Sequence, residues 1–154
     1  MLWSVIKSSE STYRDCGSTL GTLLQVQVSN CKNSDPRCVL HRNSNCSISL
    51  TFSAKQNVDK IKAVVHGIIM SVPIEFPLPN SDACADSGLT CPIKTGNTYT
   101  YNAQLPVLPR YPKITVDVKW ELILEKDETA DNGNGKEEDT SQDIVCVIIP
   151  AKIQ

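Results

Sequence analysis

Seven cysteines carry most of the reactive chemistry in this chain: Cys16, Cys31, Cys38, Cys46, Cys84, Cys91 and Cys146. Thiols can bind zinc, act as nucleophiles or pair as disulfides. Zinc would need CxxC pairs or clustered histidines. Neither is present, and the two histidines, His41 and His66, stand apart. With no nucleophile motif, no phosphate loop and no metal spacing, no catalytic constellation can be assembled. The expectation is a protein that is not an enzyme, with no catalytic residue, metal or cofactor. Disulfides remain, and they place the chain in an oxidising compartment on the secretory route. Cys31 and Cys38 bracket a short loop containing Pro36, and Cys84 and Cys91 another around Gly88; Cys16 and Cys146 lie near the two ends. Connectivity does not follow from sequence. The odd count leaves one cysteine unpaired or paired between chains.

The elements that must position these residues read as strands. Residues 113–124 put Ile114, Val116, Val118, Trp120, Leu122 and Leu124 on one face and charged or polar residues on the other. A period of two with one polar face is a half-buried antiparallel strand. Cys46, Ile48, Leu50 and Phe52 alternate with Ser47, Ser49 and Thr51, and Leu24, Val26 and Val28 with Gln25 and Gln27. Further strands are expected near 61–70, 98–105 and 143–149, with turns over 29–37, 53–60, 77–97, 106–112 and 127–142. About seven short strands and no helical period predict an all-β sandwich of two sheets.

The 154 residues suit one domain, and the formal charge of -2 gives no basic footprint for nucleic acid. Residues 1–14 read as an N-terminal tail or signal-peptide remnant, since Lys7 cuts short the apolar start; 15–154 form the domain. No stretch approaches the ~20 apolar residues of a membrane helix. The acidic run 125–139 lacks the ligand spacing of a calcium loop and reads as a solvated hairpin loop. His66 fits a structural strand histidine, and His41 lies in a polar turn. LPVLPRYP lies between strands, which argues against a PxxP ligand. Asn45 heads an Asn-Cys-Ser sequon and points outward, so it is a possible glycosylation site.

The chain resembles the ML lipid-recognition domain family. The resemblance rests on DCGS at 15–18, AVVHGIIMSVPIEFPLP at 63–79, CPIKTGNTYTY at 91–101, LPVLPRYPKITVDVKWEL at 105–122 and VCVIIPAKI at 145–153. It implies an immunoglobulin-like sandwich that holds one lipid between its sheets, with disulfides Cys16–Cys146, Cys31–Cys38 and Cys84–Cys91. It also implies sterol-binding roles for Phe76, Val107 and Tyr111, in proline-stiffened loops that include Pro112. Deeper lining is expected from Val28, Ile48, Leu105, Ile114, Val116, Trp120 and Ile149, although an inward apolar residue is equally a core residue. Cys46 is left unpaired and reads as a small apolar core residue. Val147, Glu75 and Cys46 depart from the family pattern and bear on which lipid fits.

The function so implied is that of a monomeric carrier, secreted or held in the lysosomal lumen, that holds one cholesterol-like sterol. It would exchange that sterol in transient contact with membranes or a membrane-bound acceptor. Two alternatives change the cargo or the role. One is a fatty acid or small semiochemical; the other is display of a microbial lipid in innate immunity.

Overall fold

The computed structural model describes residues 13–32, 35–125 and 142–154. The acidic run beyond Glu125 and the tail before Tyr13 lie outside them. The described residues contain strands and no helix. The strands are β1 (Arg14–Asp15), β2 (Gly21–Val28), β3 (Cys38–Leu40), β4 (Ser44–Ala54), β5 (Ile61–Ile69), β6 (Val72–Phe76), β7 (Thr98–Val107), β8 (Thr115–Leu124) and β9 (Asp143–Ile153). Nine strands form, against about seven expected; the six spans named from the sequence are all present, and β1, β3 and β6 are short additions to them. β6 carries Pro73 and was expected to be loop. It pairs with β5 alone, and an edge strand tolerates a proline that cannot donate to the ladder.

Two sheets face one another. The larger runs β1-β9-β8-β5-β6, with β3 adding in parallel to β9 beyond β1; the smaller runs β2-β4-β7. The alternation on β8 places Val116, Val118, Trp120 and Leu122 inward, opposite Ile48, Leu50, Phe52, Tyr101 and Leu105 from the smaller sheet. Fully burying such side chains contributes about 1.5–3 kcal/mol each.

The alternation breaks at one point in β2. Leu23 pairs with Phe52 and Gln25 with Thr51, so Leu24 is the extra residue of a bulge. Leu23 takes the inward place and Leu24 points out, 51% exposed. The register then resumes, and Val26 is buried.

Cys16–Cys146, Cys31–Cys38 and Cys84–Cys91 are bonded, with separations of 130, 7 and 7 residues. On the loop-entropy model the long closure is worth about 5 kcal/mol and each short one about 2.5. The long one fixes the first described residues to β9. There Cys16 donates its N–H to the Cys146 carbonyl at 2.9 Å, and the Ser18 hydroxyl accepts the Cys146 N–H at 3.0 Å. This cover explains why Ile144–Ile149 is buried without a break.

Candidate functional site

The inward faces of β2, β3, β4, β7, β8 and β9 enclose an apolar cavity of about 20 Å³. Its wall comprises Val28, Cys38, Leu40, Cys46, Ile48, Leu105, Val118, Trp120, Ile149 and Ala151, drawn from both sheets and without a single charge. Five of the expected deep-lining residues meet here: Val28, Ile48, Leu105, Trp120 and Ile149. Ile114 and Val116 do not. Val116 is buried nearer β5, and Ile114 precedes β8, half-buried, with its carbonyl accepting the Ile153 N–H at 2.8 Å.

Cys46 is the free cysteine, half-buried in the cavity wall. Burial pushes its thiol pKa up, and contact with the Ser29 hydroxyl offsets this in part. Such a thiol is protonated and unreactive at neutral pH. It serves as a small apolar surface.

Phe76 and Tyr111 form a second cluster, ring to ring, with centroids 5.3 Å apart and planes at 31°. Phe76 ends β6 opposite Val65, on the inward side of the sheet edge. Its ring lies over Gly67: a Cβ there would stand 2.9 Å from Phe76 Cζ and 3.1 Å from Val116 Cγ2. The glycine therefore makes the seat for the phenyl ring. Tyr111 sits in the loop after β7. Its N–H donates to the Leu108 carbonyl at 3.1 Å, and Arg42 Nη1 donates to the Tyr111 and Pro109 carbonyls at 3.4 and 3.5 Å. Val107 does not line the cavity; it is buried at the end of β7, in the core against which Phe76 and Tyr111 pack, and its carbonyl accepts the Asn43 N–H. Pro112 is exposed beside Tyr111.

Cys38, Leu40, Val118, Ala151, Gly67 and Arg42 were not anticipated at the site. Val118 shares the parity of Val116 and Trp120, so alternation could have found it. β3 has three residues, too few to show a period. Gly67 and Arg42 matter through distant partners, which leave no local signal.

The remaining chemistry is peripheral. His66 lies on the outer face of the larger sheet between Glu75 and Lys119, and His41 is exposed. A bulge in β8–β9 brings the carboxylates of Glu121 and Asp143 together beside Cys146. That sulfur is committed to Cys16, so the trio offers no thiolate to a metal. A wider groove of about 530 Å³ lies across β4 and β7 and the 77–97 loop. Hydroxyls, amides and Asp86 line it together with Ile48, Pro79, Tyr101 and Ala103, and its Ser47 and Ser49 side chains point away from the interior. Asn45 is exposed on that same outer row of β4.

The comparisons agree with this architecture. The ML domain family model matches residues 10–130. The "Ecdysteroid-regulated 16 kDa protein" of Manduca sexta is 46% identical over 97% of this chain and 92% of its own length. The "NPC intracellular cholesterol transporter 2 homolog a" of Drosophila melanogaster is 39% identical over 97% and 92%. A solved structure, a Niemann-Pick type C2 protein from Japanese carpenter ant, superposes with a TM-score of 0.78 at 30% identity, covering 92% of this chain and 98% of that one.

Proposed function

The chain belongs to the ML-domain family, whose members bind lipid without catalysis, and from that premise we propose that it carries one sterol between its two sheets. The observation that supports this best is the uncharged cavity wall drawn from both sheets. A water-insoluble ligand needs such a lining, because every unpaired polar group it met would cost free energy. Burying ~400 Å² of sterol surface is worth on the order of 10 kcal/mol before association costs. Phe76 and Tyr111 are the mouth in this reading: their rings stack on the flat ring system while the phenol stays wet.

At about 20 Å³ the cavity is far below the ~300–1,000 Å³ of a drug-sized pocket. Loading therefore has to part the walls, and the narrow cavity favours a slimmer acyl chain as the second cargo. The β5–β6 hairpin supports delivery to membranes. Its turn leaves Met70 89% exposed, with Val72 and Ile74 about half exposed behind it. Met70 and Ser71 hold φ of 52° and 69°, a turn that asparagine and glycine make at lower cost. An apolar tip kept at that cost is suited to dip into a lipid surface. Secretion, a monomeric state and a glycan on Asn45 complete the proposal; the three disulfides favour the first and the exposed sequon the last. A titration with a fluorescent sterol tests the cargo. Saturable binding of one sterol per chain is expected, and no saturable uptake by folded protein would sink the sterol reading.

A further inference from the structure

Two polar atoms inside the sandwich are short of hydrogen-bond partners. Among the described residues, the Tyr101 hydroxyl and the Trp120 indole nitrogen are buried with no partner at full hydrogen-bond geometry, and each has only the other for a polar neighbour. Both residues are 1% exposed. They come from facing sheets, β7 and β8, and meet edge-on with ring centroids 6.2 Å apart and planes at 64°. Burial drives the Tyr101 pKa up to about 12, and the nearby indole N–H offsets this in part. Buried donors are almost always satisfied, so two orphans in contact require a reason.

A single oxygen atom would satisfy both. It would accept from the indole N–H and share one hydrogen bond with the phenol, which can donate or accept. Trp120 belongs to the cavity wall. Tyr101 stands opposite Leu50, one step from Phe52, where the cavity gives way to closed core. Trp120 thus borders the cavity, and Tyr101 packs against it from just behind the wall. The cavity, at about 20 Å³, exceeds the ~10–15 Å³ that one water requires.

We propose that Tyr101 and Trp120 form a seat for one neutral oxygen at the Trp120 wall of the cavity. A bound water fills it, or the hydroxyl or carbonyl oxygen of a lipid does. A carboxylate is excluded, because nothing charged lines the cavity to compensate it. If water fills the seat, the lipid's inner end is apolar and stops above it. If the lipid supplies the oxygen, the protein selects cargo oxygenated at the end that enters first. This second source rests on the carrier reading; the first does not.

The test combines a high-resolution crystal structure with NMR of the indole N–H groups in the full chain. There are two tryptophans, Trp3 and Trp120, so Trp120→Phe assigns the signals. Expected is an oxygen within ~3.2 Å of both atoms and an indole resonance that shifts in Tyr101→Phe. Binding of cholesterol and 25-hydroxycholesterol then separates the sources. If the lipid supplies the oxygen, the hydroxylated sterol binds about fivefold tighter, as for one net hydrogen bond, and Tyr101→Phe abolishes that advantage. If water does, the hydroxylated sterol gains nothing and the structure shows the water in place. Bare atoms in the crystal, with an indole resonance indifferent to Tyr101→Phe, would overturn the seat. Failure of both sterols to bind would remove the sterol reading and leave the structural and NMR result to decide the seat.

Discussion

At one end of the sandwich Phe52, Ile61, Leu122, Ile144 and Val145 are sealed from solvent, each at 0% exposure. At the other, Val28 and Cys46 are only partly buried, and a cavity separates Leu105 from Ile149 and Val118. The residue types are alike at the two ends. What differs is the backbone around them. The closed end is covered by the chain that the Cys16–Cys146 bridge ties to β9, while the open end is flanked by three-residue β3 and the proline-rich loop of Tyr111. One end supplies stability, and the other is free to give way.

A matched pair of leucines tests this division at its strongest. Leu122→Ala should cost about 4 kcal/mol, near the top of the usual range for a closed core, and Leu105→Ala about 2, because one side of Leu105 already lacks partner atoms. Urea unfolding of the two variants measures both. Equal costs would erase the difference between the ends. Cys46→Leu sharpens the comparison from the cavity side. It fills space that the cargo needs, so sterol affinity should fall about tenfold while stability changes by less than about 1 kcal/mol. A variant that binds sterol as well as the parent would remove Cys46 from the binding wall.

Smaller effects lie at the periphery. Replacing Met70-Ser71 by Asn-Gly should stabilise the fold by about 1 kcal/mol through relief of two left-handed residues. The same variant should bind anionic and zwitterionic vesicles less well, measured by co-sedimentation. Asp143 adds a pH dependence. Burial first, then the hydrogen bond and charge of Glu121, raise its pKa to about 7, against the opposing pull of Lys119. The folded state therefore holds a proton that the unfolded chain releases near its ordinary value of 3.8. Stability from this group rises as pH falls below about 7 and is complete near 4. The melting temperature should be higher at pH 5 than at pH 8, and Asp143→Asn should flatten that slope.

Much of the frame was legible before any coordinates. Alternation on β8 and β4 gave the inward faces, since a half-buried strand has no other way to sort its side chains. The family resemblance supplied the three disulfide pairings that the protein forms. Leu24 misled because a bulge resets parity without changing composition. The cavity was not legible: Leu105 at a void and Leu122 in closed core obey the same pattern. Nor were Gly67 beneath Phe76, or the orphaned atoms of Tyr101 and Trp120, because each depends on a partner far away in sequence.

The central claim is that the open end holds one lipid. Native mass spectrometry of protein purified from its own source tests it most directly. The account predicts one lipid per chain with the mass of a sterol, at lower occupancy in a Cys46→Leu variant produced in the same way. Protein that retains no lipid, or Cys46→Leu protein that retains it undiminished, would contradict the account.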